Sequence, residues 1–434
     1  MRDFSVLILN LIAAVVCVFV TGCGSSVKSG GGGGGGGGNT NPTTVTVTFK
    51  ATSIAAVAVK IGSGSFTPAT LSSNTLTLSI PQGTTDFAVA YLCPTYPSYS
   101  GGLQYSYNEQ YVIEGNTQDA TSFTESCPPP TVSQFSFEVD ASAISGAQGV
   151  LVETGNQTGS AYCSFDELQT GARSCIAPTG SDGAFVEAYS GSFPNNDFEA
   201  LAVRRYDGQT APGSLNNGAM VALGAADLTT SAPITYQNLP SGFAPDVYVY
   251  FDTATEGDLR LAFSSGAYLA NYPVLPAAAV ESGDYYSVQA QAWNGNSAVG
   301  ETVDASGGAA SIVYPAPWSY SGPSPAALPV MNFSSYSGFN DTTGLDRHGR
   351  ITWSPSNLVV NNYRVSATAN AAGGSASVAF PDLSSVSGFL PNPGSGTNVD
   401  WLMELESYSA GVMAQGSSGT TRVWVENEGS YVVP

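Results

Sequence analysis

Glu404 and Glu406 stand two residues apart in the run Trp401-Leu402-Met403-Glu404-Leu405-Glu406, whose alternation suits a strand. On a strand such a pair shares one face and lies about 6.7 Å apart along the backbone. That separation falls within the carboxyl spacing of inverting glycoside hydrolases. A solvated outer strand face carries the same pattern, and that is the plainer reading. The one imidazole, His348, sits in Leu345-Asp346-Arg347-His348-Gly349-Arg350. A Ser-His-Asp site would need it as base with Asp346 as orienter. The glycine and charges around it read instead as a solvated loop ahead of a strand at Trp353. Asn195-Asn196-Asp197 with Glu199, and Asn340-Asp341 with Asp346, offer oxygen ligands of the kind calcium takes, although turn chemistry accounts for the same residues. No nucleophile elbow, HExxH or Walker motif is present outside a glycine tract. The expectation is therefore no catalytic residue, no cofactor and no metal.

Aromatic side chains offer a different chemistry. Between residues 91 and 111 stand Tyr91, Tyr96, Tyr99, Tyr105, Tyr107 and Tyr111, among Pro94, Pro97, Gly101 and Gly102. Rings with polar tips on loops suit sugar faces or protein partners, because they present large area at low entropic cost. Tyr96, Tyr99, Tyr105 and Tyr107 are the candidate ligand-binding residues. Tyrosine is also a favoured strand residue, so local packing explains part of the cluster.

Charge narrows the partners further. The chain has 434 residues, 12 basic against 33 acidic, and a formal charge of −21. With three lysines it has no basic stripe to neutralise phosphates, which excludes nucleic acid and argues against anionic headgroups. Its 22 Tyr and 19 Phe exclude disorder along the whole chain.

The N-terminus carries an address. Met1-Arg2 leads into an apolar run from Val6 to Val20, which is short for a membrane span and reads as an export signal over residues 1–22. Val20-Thr21-Gly22-Cys23 resembles the bacterial lipobox, which implies acylation of Cys23 and cleavage before it. Gly24 at the next position implies, by the same resemblance, forwarding to the outer membrane. The membrane is then a partner through lipid, with glycan or protein as further partners. Nine glycines, Gly30 to Gly38, make residues 23–44 a tether of about 25 Å random-coil span.

Beyond Cys17 and Cys23, four cysteines remain: Cys93, Cys127, Cys163 and Cys175. An exported chain meets an oxidising compartment, so disulfides are expected, with Cys93–Cys127 and Cys163–Cys175 favoured. Each would stabilise by roughly 3 kcal/mol.

All of these residues need positioning, and from Thr43 onward the pattern is strand. Val45, Val47 and Phe49 alternate with Thr46, Thr48 and Lys50; Val423 and Val425 alternate with Arg422, Trp424 and Glu426. Aromatic-led runs recur at Phe87, Phe185, Tyr286 and Trp401, spaced by 98, 101 and 115 residues, near the size of a sandwich domain. The fold expected is all-β, tandem antiparallel β-sandwiches over 45–133, 134–243, 244–330 and 331–434. In the last, Ile351 to Pro355, Asn362 to Ala367 and Val399 to Glu406 resemble the B, C and F strands of a fibronectin type III domain, with Trp401 where that family carries tyrosine. That resemblance bears on fold and is silent on activity. The function expected is noncatalytic: structure, adhesion or presentation of a binding surface. A carbohydrate-binding module using the tyrosines and a surface glycosidase using an acidic pair are the alternatives.

Overall fold

A computed structural model describes residues 43–49, 54–100, 103–125, 127, 134–154, 160–163, 173–178, 184–191, 197–206, 220–253, 257–334, 336, 339, 345–371, 376–408 and 421–434. The signal, Cys23 and the glycine tether lie outside them. Among the described residues no helix is long and apolar enough to cross a membrane.

The chain is all-β, as its alternation requires. Its first stretch holds β1 (Thr43–Phe49), β2 (Ala56–Ile61), β3 (Thr67–Pro68), β4 (Thr75–Ile80), β5 (Asp86–Leu92), β6 (Tyr96–Ser100), β7 (Leu103–Asn116) and β8 (Ser122–Glu125). The second holds β9 (Gln134–Asp140), β10 (Gly149–Thr154), β11 (Ser160–Cys163), β12 (Arg173–Pro178), β13 (Ala184–Gly191), β14 (Phe198–Tyr206) and β15 (Met220–Ala222). The third holds β16 (Thr230–Gln237), β17 (Ala244–Thr253), β18 (Gly257–Ser265), β19 (Asn271–Val274), β20 (Tyr285–Asn294), β21 (Ser297–Ala305) and β22 (Ala310–Val313). The fourth holds β23 (Val330–Asn332), β24 (Leu345–Ser356), β25 (Val359–Ala367), β26 (Ser377–Ala379), β27 (Asn398–Tyr408) and β28 (Thr421–Val432).

One pairing scheme recurs. The opening strand of a stretch pairs antiparallel with a later strand and parallel with the closing one: β4-β1-β8, β12-β9-β15 and β19-β16-β22. The fourth keeps the antiparallel half, β23-β26. Sixteen of the other strands form four-strand ladders of one order, β3-β2-β5-β7, β11-β10-β13-β14, β18-β17-β20-β21 and β25-β24-β27-β28, and β6 folds back on β7 as a hairpin. The four aromatic-led runs occupy the corresponding strand each time, namely β5, β13, β20 and β27. Phe87 stands opposite Gly115, Phe185 opposite Arg205, Tyr286 opposite Ala305 and Trp401 opposite Gly429. β16, at 230–237, pairs with β19 and β22 of the third stretch.

The ladders then join edge to edge. β7 pairs with β25 in parallel, β28 pairs with β21 and β14 pairs with β18, giving one 17-stranded sheet that runs through all four stretches. The fibronectin strand assignment is corrected by this register. β24 and β25 are hairpin neighbours in one sheet, and β24 also pairs with β27, whereas B and C strands belong to opposite sheets of a sandwich.

Alternation along this long sheet gives it two different faces. One carries Val112, Val365, Met403, Val425, Val299 and Ala292, which pack in one core with Ile234, Tyr272 and Ile312 of the third small sheet and Met331 and Val378 of the fourth. The first small sheet lies on the opposite side, where Val45, Val47 and Phe49 bury Val89, Tyr91 and Ile113. Burying apolar area contributes about 25 cal/mol per Å², so these contacts fix which face each small sheet covers.

Candidate functional site

From β25 across to β21 the second face of the long sheet is polar. The register makes Tyr111, Arg364, Arg350, Leu402 and Glu428 successive neighbours on it, and Glu426, Ala298 and Trp293 continue the row. Leu402, Tyr408 and Trp424 are buried there, yet none belongs to the core shared with the third and fourth small sheets.

At one end of this face lie the tyrosines, on strands and not on a loop as the sequence had suggested. Tyr96 of β6 stands opposite Tyr107 of β7, and their rings stack at 5.6 Å with 18° between planes. Tyr105 and Glu109 follow the same alternation. Glu109, 3% exposed, accepts hydrogen bonds from the hydroxyls of Tyr96 (3.2 Å) and Tyr111. Arg364 approaches Glu109 at 3.9 Å and lies 5.6 Å from the Tyr111 ring centroid. Tyr111 stacks on Tyr91, which is 1% exposed and donates to Glu125, so these two belong to the first core. Burial, then the charge of Glu109, pushes the Tyr96 hydroxyl far up, so it is a permanent donor. Tyr99 lies in β6 opposite Gln104, on the other side of the hairpin by register, and its side chain is outside the described residues.

Next along the face is an acidic ladder. Asp346 of β24 stands opposite Glu406 of β27, and Glu404 of β27 opposite Glu426 of β28. Like charges placed directly across a ladder are destabilising. Arg422 compensates part of this, reaching Glu404 at 2.9 Å and also Glu406, which accepts from Tyr408 as well. Neither Glu404 nor Glu406 is therefore on a simple solvated face, and Glu406 is 3% exposed. Glu426 is 7% exposed and its Oε1 has no hydrogen-bond partner. Burial, followed by the charges of Glu404 and Glu428, holds its carboxyl well above the usual range. Burial also pushes Asp346 up to about 7, against the pull of His348.

His348 lies within β24, which corrects the loop reading of this segment: its ring Nδ1 is 2.9 Å from Ser366 Oγ and its Nε2 is 3.4 Å from Glu406. Asp346 is its neighbour two residues away on the same face. Ser366 Oγ on β25 and the Glu406 carboxylate flank the imidazole on its two nitrogens, with the serine on Nδ1 and the carboxylate on Nε2, the reverse of a serine protease's order, and Asp346 is not the group that orients the ring.

Only part of each oxygen-ligand set lies among the described residues. Asp197 accepts the Ser265 N–H at 3.0 Å, and Glu199 is exposed on β14, while Asn195, Asn196, Asn340 and Asp341 lie outside the described residues. Among the described residues no group of three or more His, Cys, Asp or Glu could hold a metal ion. Cys93 and Cys127 form a disulfide, with Cα atoms 5.4 Å apart. Cys163 ends β11 and Cys175 lies in β12, with side chains outside the described residues.

No family model matches the chain, and no curated protein is similar to it. Among solved structures, a Ca²⁺-stabilised adhesin that helps an Antarctic bacterium reach out and bind ice aligns with 87% of this chain and 89% of its own, at 11% identity and a TM-score of 0.13. At that score the two chains do not superpose as one fold, and the likeness bears on neither fold nor function.

Proposed function

We propose that the protein is a noncatalytic envelope lipoprotein that presents the polar face of its long sheet to a ligand outside the membrane. The observation that supports this is the contrast between the two faces. The third and fourth small sheets cover one face; the other, beyond the part covered by the first small sheet, carries tyrosines, amides and carboxylates in place of an apolar core. Aromatic rings beside carboxylates suit a glycan, with Tyr96 and Tyr107 as the stacking surface and Glu109 fixing the Tyr96 hydroxyl. Adhesion through such a surface, on a tether acylated at Cys23, is the role that follows. Hydrolysis by Glu404 and Glu406 is the weaker alternative, because both carboxylates are held by one guanidinium.

Two measurements test this. On a glycan array, Tyr96→Ala and Tyr107→Ala are expected to lose about tenfold or more of the wild-type signal, as removal of a stacked ring costs around 1–3 kcal/mol. Retention of every signal by both variants refutes the surface assigned. Cells fed a palmitate analogue are expected to label the protein, and Cys23→Ala to abolish the label; an unlabelled wild type refutes the anchor.

A further inference from the structure

Six acids lie on the polar face across β24, β27 and β28: Asp346, Asp400, Glu404, Glu406, Glu426 and Glu428. Two arginines accompany them on those strands, Arg350 and Arg422. Arg422 is committed to Glu404 and Glu406. The two acid-on-acid pairs, Asp346 opposite Glu406 and Glu404 opposite Glu426, are adjacent across the ladder, a placement that costs stability and that the core does not need. Glu426 adds an independent sign. Its carboxyl is more than nine-tenths buried, set between Glu404 and Glu428, and one oxygen lacks any hydrogen-bond partner. A buried polar atom of this kind calls for a partner from outside the fold. A bare metal ion is a poor fit, since these carboxylates do not converge as a metal-ligating group. A larger cation with several N–H donors suits a ladder spread over three strands about 4.8 Å apart.

Deepening the reading of this face as a glycan surface, we infer that its ligand is an oligosaccharide carrying protonated amines, with the ammonium groups on the Glu404–Glu426–Glu428 ladder and sugar rings directed along the face toward Tyr107. The exposed Asp400 and the half-buried Glu428 and Glu404 form the entrance, and Glu426 lies beneath. Glu426 is faced by Glu404, Glu428, Arg350 and Arg422, and burial and the two acids raise its carboxyl well above the usual range. An ammonium placed there reverses that balance, so binding expels a proton to the buffer.

The test is calorimetric titration of the purified full chain with a β-linked glucosamine hexamer and with its fully N-acetylated counterpart. The free-amine hexamer is expected to bind at least about tenfold tighter, with proton release read from buffers of different ionisation heat. Glu426→Gln is expected to lose about tenfold for the free amine only, with no fall in its thermal midpoint, since the buried acid gives way to an isosteric amide. Tyr107→Ala is expected to weaken both hexamers. Equal affinity for the two hexamers, an unchanged Glu426→Gln, or binding of a lysine-rich peptide in place of either sugar overturns the inference. If neither hexamer binds while other array glycans still depend on Tyr96 and Tyr107, the ammonium ladder falls and the glycan surface stands. If no glycan depends on those tyrosines, both fall.

Discussion

At the scale of single residues, several positions are decided by what a side chain would strike. A Cβ on Gly300 would lie 2.3 Å from the indole of Trp424, which covers that glycine on the polar face. Gly300→Ala must push the indole off its strand, so stability is expected to fall by about 1–3 kcal/mol, read as a lower urea midpoint. Gly283 makes a useful contrast: its φ is +102° and nothing lies within 4 Å of a Cβ there, so its replacement strains backbone alone. An unchanged midpoint for Gly300→Ala would contradict the close packing of Trp424. The site's residues were partly legible in the same way. Alternation around Val423 and Val425 already placed Arg422, Trp424 and Glu426 on one face, and Glu404 and Glu406 on one face of another strand. That Glu426 stands opposite Glu404 was not legible, because register between strands is set by long-range packing and leaves no local trace.

At the scale of elements, strand-forming runs declared themselves through period-two alternation, and the aromatic leads marked corresponding strands correctly. His348 did not, since Gly349 and the neighbouring charges mimic a turn. The structure shows why a glycine stands in that strand: a Cβ on Gly349 would lie 2.8 Å from the Met331 sulfur and 3.2 Å from the Phe380 ring. β24 turns Asp346, His348 and Arg350 to the polar face, while Arg347, on the other side, donates to the carbonyls of Thr368 and Ala369. Joins between ladders were equally invisible. β7 meets β25 more than 240 residues later, with Asp119 accepting from the Asn370 backbone N–H at 2.9 Å and from the Thr368 hydroxyl beside it. The disulfide acts on the first of these elements. It ties the end of β5 to the segment after β8, across 34 residues, and both cysteines are buried in the first core. The Cys93→Ser, Cys127→Ser double variant is expected to lose about 3–4 kcal/mol, with the loss reproduced by reducing the wild type. Coincident denaturation curves for oxidised and reduced protein would show that the first core holds without the crosslink.

At the scale of the whole molecule, buried acid dominates. Glu125, which accepts from the Tyr91 hydroxyl, is pushed up to about 7 by burial, and burial does the same to Glu301 and Asp304. Asp346 joins them at about 7, and burial raises the Glu426 carboxyl well above its ordinary value. In the unfolded chain such groups titrate near 4, at about 3.9 for Asp and 4.3 for Glu. Between roughly pH 4 and 7 the native state therefore binds more protons than the unfolded one, and stability falls as pH rises through that window. Asp140 and Asp382 are shifted the other way by hydrogen bonds from Ser142 and Ser384, but both are exposed and contribute little. The formal charge of −21 acts in the same direction as the buried acids, since self-repulsion grows as carboxylates ionise. Scanning calorimetry from pH 5 to 8 is expected to give a midpoint that declines steadily. Added salt should restore only the part due to repulsion, because screening does not rehydrate a buried carboxylate. A midpoint that rises toward pH 8 would mean that these acids find compensating charge in the folded state, and would remove the physical basis for an ammonium-seeking ladder along with it.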